Sequence, residues 1–138
     1  MHAAQNLGDN MIYASILLGL PLAFIFWGAG FNKLTKSIDD LAAAGMGWTK
    51  EIPAFVVRVI ALLELAGAVG VVAGPVAGLA LGWTWATFLG ALAGAGLAAT
   101  MLVAAIMHIA RGEFKYTYKM NIGFLVLAIA HSVVTFLS

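Results

Sequence analysis

Cysteine is absent from the 138 residues, and with it go disulfides, thiol redox chemistry, iron–sulfur ligation and c-type haem attachment. Charge is nearly as scarce. Only 9% of the residues are Asp, Glu, Lys or Arg, against about a quarter in an ordinary soluble domain. Seven basic and six acidic side chains leave a net charge of +1, which provides no electrostatic footprint for nucleic acid. No G-x-x-x-x-G-K-[ST] loop offers a phosphate cradle, no H-x-x-x-H or paired E-x-x-H spacing offers a metal site, and the few serines stand in no recognisable arrangement with a base. The soluble connections are too short to hold a catalytic domain. Catalysis by this chain alone is not expected.

Apolar residues are abundant instead: 63% of the chain is hydrophobic, before its 16 glycines are counted. A globule this small cannot bury so much apolar surface, so the chain belongs in a bilayer. A spanning helix needs about 20 predominantly apolar residues, and four stretches qualify: 11–31, 53–73, 84–110 and 120–137. Asp9 precedes the first, Pro53 opens the second, Gly74-Pro75 is expected to close it, and Arg111-Gly112 closes the third. Trp83 and Trp85 suit the outer headgroup belt. The first stretch lacks the basic leader and short apolar region of a cleaved signal peptide and is expected to remain as a helix. The expected fold is all-α, one transmembrane domain built as a four-helix bundle.

Between the first two spans, Leu34, Ile38 and Leu41 fall at helical spacing, Ser37 with Asp40 resembles a capping box, and Gly45 offers a stop. A short amphipathic helix at the membrane surface is expected here, with Trp48 dipping into the headgroups. Lys33, Lys36 and Lys50 lie in this connection and Arg111, Lys115 and Lys119 in the third, while the other end of the bundle carries none. That asymmetry predicts a multi-pass protein of the cell membrane with both termini facing away from the cytoplasm.

Polar side chains are costly in hydrocarbon, so those within the spans are the candidate functional residues. Glu64 lies about 16 Å into the second span at 1.5 Å per residue; it must be paired, hydrated or protonated. By depth, Thr100, His131 and the Leu17 carbonyl freed by Pro21 are expected to join it in one midplane layer. Lys33, Arg58, His108, Tyr118 and Asn121 form a second layer nearer the cytoplasm. Arg58 and Glu64, six positions apart and about 120° around the helix, do not make a ready ion pair. His108 and His131 differ too much in depth to be the two axial ligands of one haem. Gly28 and Gly30, Gly67 and Gly70, and Gly90 with Gly94 are candidate sites of close helix approach.

The run Gly28-Ala-Gly30-Phe-Asn-Lys33-Leu34, then Glu64-Leu65-Ala-Gly67-Ala-Val-Gly70, then Ala98-Ala-Thr-Met101-Leu-Val-Ala104-Ala-Ile-Met-His108 resembles, in that order and spacing, the DoxX-like family of small four-helix membrane proteins. The resemblance covers roughly Gly28 to His108 and implies Lys33 and Glu64 as the polar centre of the bundle. It also implies a redox-associated membrane component linked to quinone, without a defined enzymatic activity. The expected function is therefore a non-catalytic membrane subunit that packs against another membrane redox subunit or a second copy. It would have no intrinsic cofactor, with quinone or lipid as candidate ligand in a cleft lined by His108, Lys33, Met101, Met107 and Phe124. A small proton or solute carrier using Glu64 and His131, and a membrane-protein assembly factor, are the alternatives.

Overall fold

A computed structural model describes residues 1–138. Five α-helices follow in order: α1 (His2–Thr35), α2 (Ile38–Ala43), α3 (Ala54–Leu81), α4 (Thr84–Ala110) and α5 (Phe114–Leu137), with a 3₁₀ turn over Gly47–Lys50. All but α2 are long and apolar enough to cross a membrane. They form a ring in which α1 packs on α3 and α5, and α4 packs on α3 and α5. Phe24, Val103 and Phe136 stand exposed on its outside, where lipid chains meet them. The chain is a multi-pass membrane protein.

Small residues set the helix spacing, as expected where lipid removes the hydrophobic drive between helices and packing must supply it. A Cβ placed on Gly74 would lie 2.6 Å from the Gly90 Cα, and one on Gly67 would strike Leu97 at the same distance. Gly30 meets the Ala61 carbonyl, Gly70 meets Ala93, and Gly94 meets the ring of His131. Gly28 departs from the expectation: it is exposed, with nothing within 4 Å of the position a Cβ would take. It sits two residues from the inward Gly30, and a step of about 200° turns it to the opposite face of the helix. Gly19, Gly74 and Gly78 are close-approach positions not anticipated from spacing, against Val71, Gly90 and Thr87 respectively.

The helices outrun the hydropathic spans. α1 begins at His2, with Asp9 exposed inside it, because residues 2–10 contain no proline and hydropathy marks insertion rather than helicity. At 34 residues it is about 51 Å long, against a hydrocarbon core of about 30 Å. α5 likewise starts at Phe114. The sharpest correction concerns α3, which runs through Gly74-Pro75 and stops only at Gly82, where φ is +67° and the Gly82 N–H reaches the Gly78 carbonyl. α4 starts at Thr84, with Trp83 and Trp85 stacked 5.3 Å apart at that end of the bundle. The short connecting helix is α2, its first turn capped by Ser37 Oγ accepting from the Asp40 N–H at 3.0 Å.

Candidate functional site

Proline has no amide hydrogen, so Pro75 inside α3 leaves the Val71 carbonyl, four residues back, without its helical donor. His131 on α5 supplies the replacement: its Nε2 lies 2.8 Å from the Val71 oxygen. A carbonyl only accepts, so Nε2 carries the hydrogen. The ring fits because Gly19 and Gly94 flank it without side chains. Thr135 Oγ1 donates to the His131 carbonyl at 2.6 Å and shares a hydrogen bond with Ser15, tying α1 to α5. Ser132 Oγ donates to the Ala91 carbonyl at 2.8 Å and ties α5 to α4. His131 is fully buried in this polar knot.

The single midplane layer expected from depth therefore divides. Val71 lies seven residues beyond Glu64, about 10 Å along α3, and His131 sits at the level of Val71. It sits deeper than its distance from Lys119 implies because α5 begins at Phe114, which puts Lys119 well inside the helix. Leu22, Phe26, Ala68, Leu97 and Ala128 belong to the buried apolar core. The Leu17 carbonyl freed by Pro21 takes no part in the knot, since Leu17 lies on the exposed face of α1.

Glu64 is bound elsewhere, to Lys33. The Lys33 ammonium donates to both carboxylate oxygens at 2.8 Å, and the two side chains are only 10% and 3% exposed. Side chains on a helix lean toward its N-terminus, so the Lys33 stem runs back from the end of α1 into the bundle and reaches Glu64. Arg58 is no partner of Glu64; its guanidinium donates to the Lys33 backbone carbonyl, satisfying an acceptor in the last turn of α1. The pair is bidentate, but an ion pair this buried is not a source of stability by itself, because removing two charges from water offsets most of their attraction.

Lys33 and Glu64 border a cavity of about 770 Å³ at the basic end of the bundle. His108, Thr100 and Asn121 also line it, with Met101, Met107 and Phe124 as apolar wall. Arg58, Tyr118 and His131 do not. The connection between α1 and α3 covers the cavity: Ala44, Gly45, Met46 and Trp48 all face it. Trp48 is half-buried over this space rather than turned to the headgroups, because the 3₁₀ turn at Gly47–Lys50 folds it inward. Thr100 donates to the Gly96 carbonyl of its own helix at 3.0 Å.

A charged latch closes the same end. His108 Nδ1 donates to Glu113 at 2.9 Å, Arg111 Nε donates to the other Glu113 oxygen at 2.9 Å, and the Arg111 guanidinium also binds Glu51 at the end of the covering connection. Hydrogen bonds from His108 first, then Arg111, hold the Glu113 carboxyl below its ordinary value. Glu51 and Glu113 carried no sequence signal of their own. Both lie in connections that hydropathy treats as solvated, and only the fold brings them to Arg111. No group of three or more His, Cys, Asp or Glu side chains is arranged to hold a metal.

Residues 16–131 match the DoxX-like family, and the chain belongs to it. The match extends beyond the three runs quoted above, taking in most of α1 and α5 as far as His131. No curated protein and no solved structure matches the chain.

Proposed function

We propose that this DoxX-like protein is a non-catalytic membrane subunit of a quinone-linked redox system, and that the cavity beneath the α1–α3 connection receives a quinone headgroup or a lipid. The amphipathic character of that cavity carries the reading. A bonded ion pair, Asn121 and His108 provide polar anchors, while methionines and Phe124 provide an apolar wall for a tail. Its volume of about 770 Å³ lies within the range of roughly 300–1,000 Å³ common among small-molecule sites. A shallow outer groove between α1 and α3, lined by Phe24, Trp27, Gly28 and Val69, suits the packing of a partner helix. The carrier reading is less favoured, since the polar groups do not connect: Glu64 and His131 are separated in depth and engaged in different networks.

Purification from native membranes in mild detergent, followed by identification of copurifying polypeptides and extracted quinone, tests this. We expect a second membrane polypeptide and near-stoichiometric quinone or lipid, with the small molecule lost when the wall residue Ala104 is replaced by Trp. Recovery of the chain alone, free of both, argues against the proposal.

A further inference from the structure

We infer that this cavity opens sideways into the membrane between α3 and α4, and that the hydrocarbon tail of its occupant leaves through that window; the inference rests on reading the cavity as a ligand site. Over most of its length the α3–α4 seam is sealed by small residues: Gly78 against Thr87, Gly74 against Gly90, Gly70 against Ala93 and Gly67 against Leu97. Continued toward the basic end, the same antiparallel register would pair Leu63 with Thr100 and Ile60 with Ala104. All four line the cavity. Leu63 lies one turn from Gly67 on the same face of α3, yet it is 63% exposed. The seam has parted where the glycines of α3 give way to leucine and isoleucine.

Gly96, Ala99 and Val103 form the opposite edge on α4, each lining the cavity and each exposed on the outside of the bundle. Nothing lies within 4 Å of the position a Gly96 Cβ would take. The α1–α3 seam stays shut at this depth, through Gly30 on the Ala61 carbonyl and the Lys33–Glu64 bridge. On the α1–α5 side Ile25 and Ala29 are half-buried, and Met120 alone among the lining residues of those two helices is exposed. Leu63 stands about 14 Å from the start of α3 at 1.5 Å per residue, inside a hydrocarbon core of about 30 Å. What meets the window is therefore an acyl chain and not water. A ligand with its head beside Lys33 and Glu64 and its tail between Leu63 and Val103 satisfies both surroundings. An isoprenoid quinone and a lipid with an acyl chain share this chemistry.

The test uses the full chain in phosphatidylcholine nanodiscs, with three tritiated probes: a benzoquinone carrying a long isoprenoid tail, its tail-less parent, and a long-chain monoacylglycerol. Saturable binding of the tailed quinone is expected. If the monoacylglycerol binds instead, the inference also holds, with an acyl chain as the tail. Ala99→Trp narrows the window from its edge and should weaken the tailed ligand about tenfold, the scale of an overpacked contact, while the tail-less quinone keeps its affinity. Gly96→Phe should do the same from a position with open space around it, and neither should lower the melting temperature. Val133→Trp, exposed and away from the cavity, should change nothing. A tailed ligand indifferent to both window variants, weakened no more than the tail-less quinone, or weakened instead by Met120→Trp overturns the α3–α4 window and spares the ligand-site reading. No saturable binding of any probe overturns both.

Discussion

His131 stands in for the amide hydrogen that Pro75 lacks, with its Nε2 2.8 Å from the Val71 carbonyl oxygen. A side chain on α5 thus completes the hydrogen bonding of α3, and the helix passes through a proline instead of ending there. The contribution of His131 therefore depends on the proline. His131→Phe should destabilise the protein by about 1–3 kcal/mol, the cost of an unmet buried carbonyl. In a Pro75→Ala background, where residue 75 again has an amide hydrogen, the same change should cost much less. Detergent unfolding curves of the four proteins give the coupling; strict additivity would show that Val71 does not need the imidazole.

The Lys33–Glu64 pair should behave in the same non-additive way. Removing one partner strands the other charge among buried residues, so Lys33→Met or Glu64→Leu alone should cost about 3–5 kcal/mol. The double replacement should recover most of that loss, because desolvating the pair offsets most of its attraction. Melting temperatures in one detergent suffice, and a double variant as unstable as the worse single one would refute the pairing.

Acid should loosen the basic end through Glu113. Its carboxyl is more acidic in the folded protein, held down by His108 and Arg111, than in an unfolded chain, where the value is about 4.3. The stability it contributes is therefore complete above that unfolded value and is lost as pH falls through the lower folded one. Melting temperature measured from pH 6 to 3 should drop on the acid side, and Glu113→Gln should flatten that part of the curve. An unchanged acid limb in the variant would place the loss elsewhere.

How the chain sits in its membrane is open to direct labelling, since there is no native cysteine to interfere. The basic residues of the α1–α3 and α4–α5 connections predict that this end faces the cytoplasm. Cysteines at Ala3 and Ser138 should react with an impermeant reagent added to intact cells, and one at the exposed Ala43 should be protected. The reverse pattern inverts the topology.

Much of this architecture is written in local features. Long apolar runs announce the four spanning helices, and Ser37 with Asp40 marks the start of α2 as the structure has it. The depth of Glu64 signals that it needs a partner, and a lysine at the end of α1 is long enough to be one. What sequence leaves hidden is non-local. The continuation of α3 through Pro75 depends on a histidine far along the chain, so Gly74-Pro75 reads as a stop. The inward turn of Trp48 depends on a cavity that only packing creates. The depth of His131 is hidden because hydropathy reports where lipid begins and not where a helix does, and α5 starts before its apolar run.

The most direct test of the ligand site is covalent. Native membranes would be irradiated with an azido-benzoquinone, and the labelled residues mapped by peptide mass spectrometry. Labels are expected on Met46, Trp48, Met101 and Met107, on the cavity wall, suppressed by excess unlabelled quinone. Labels confined to the outward Phe24, Leu62 and Phe136, and indifferent to competition, would contradict it.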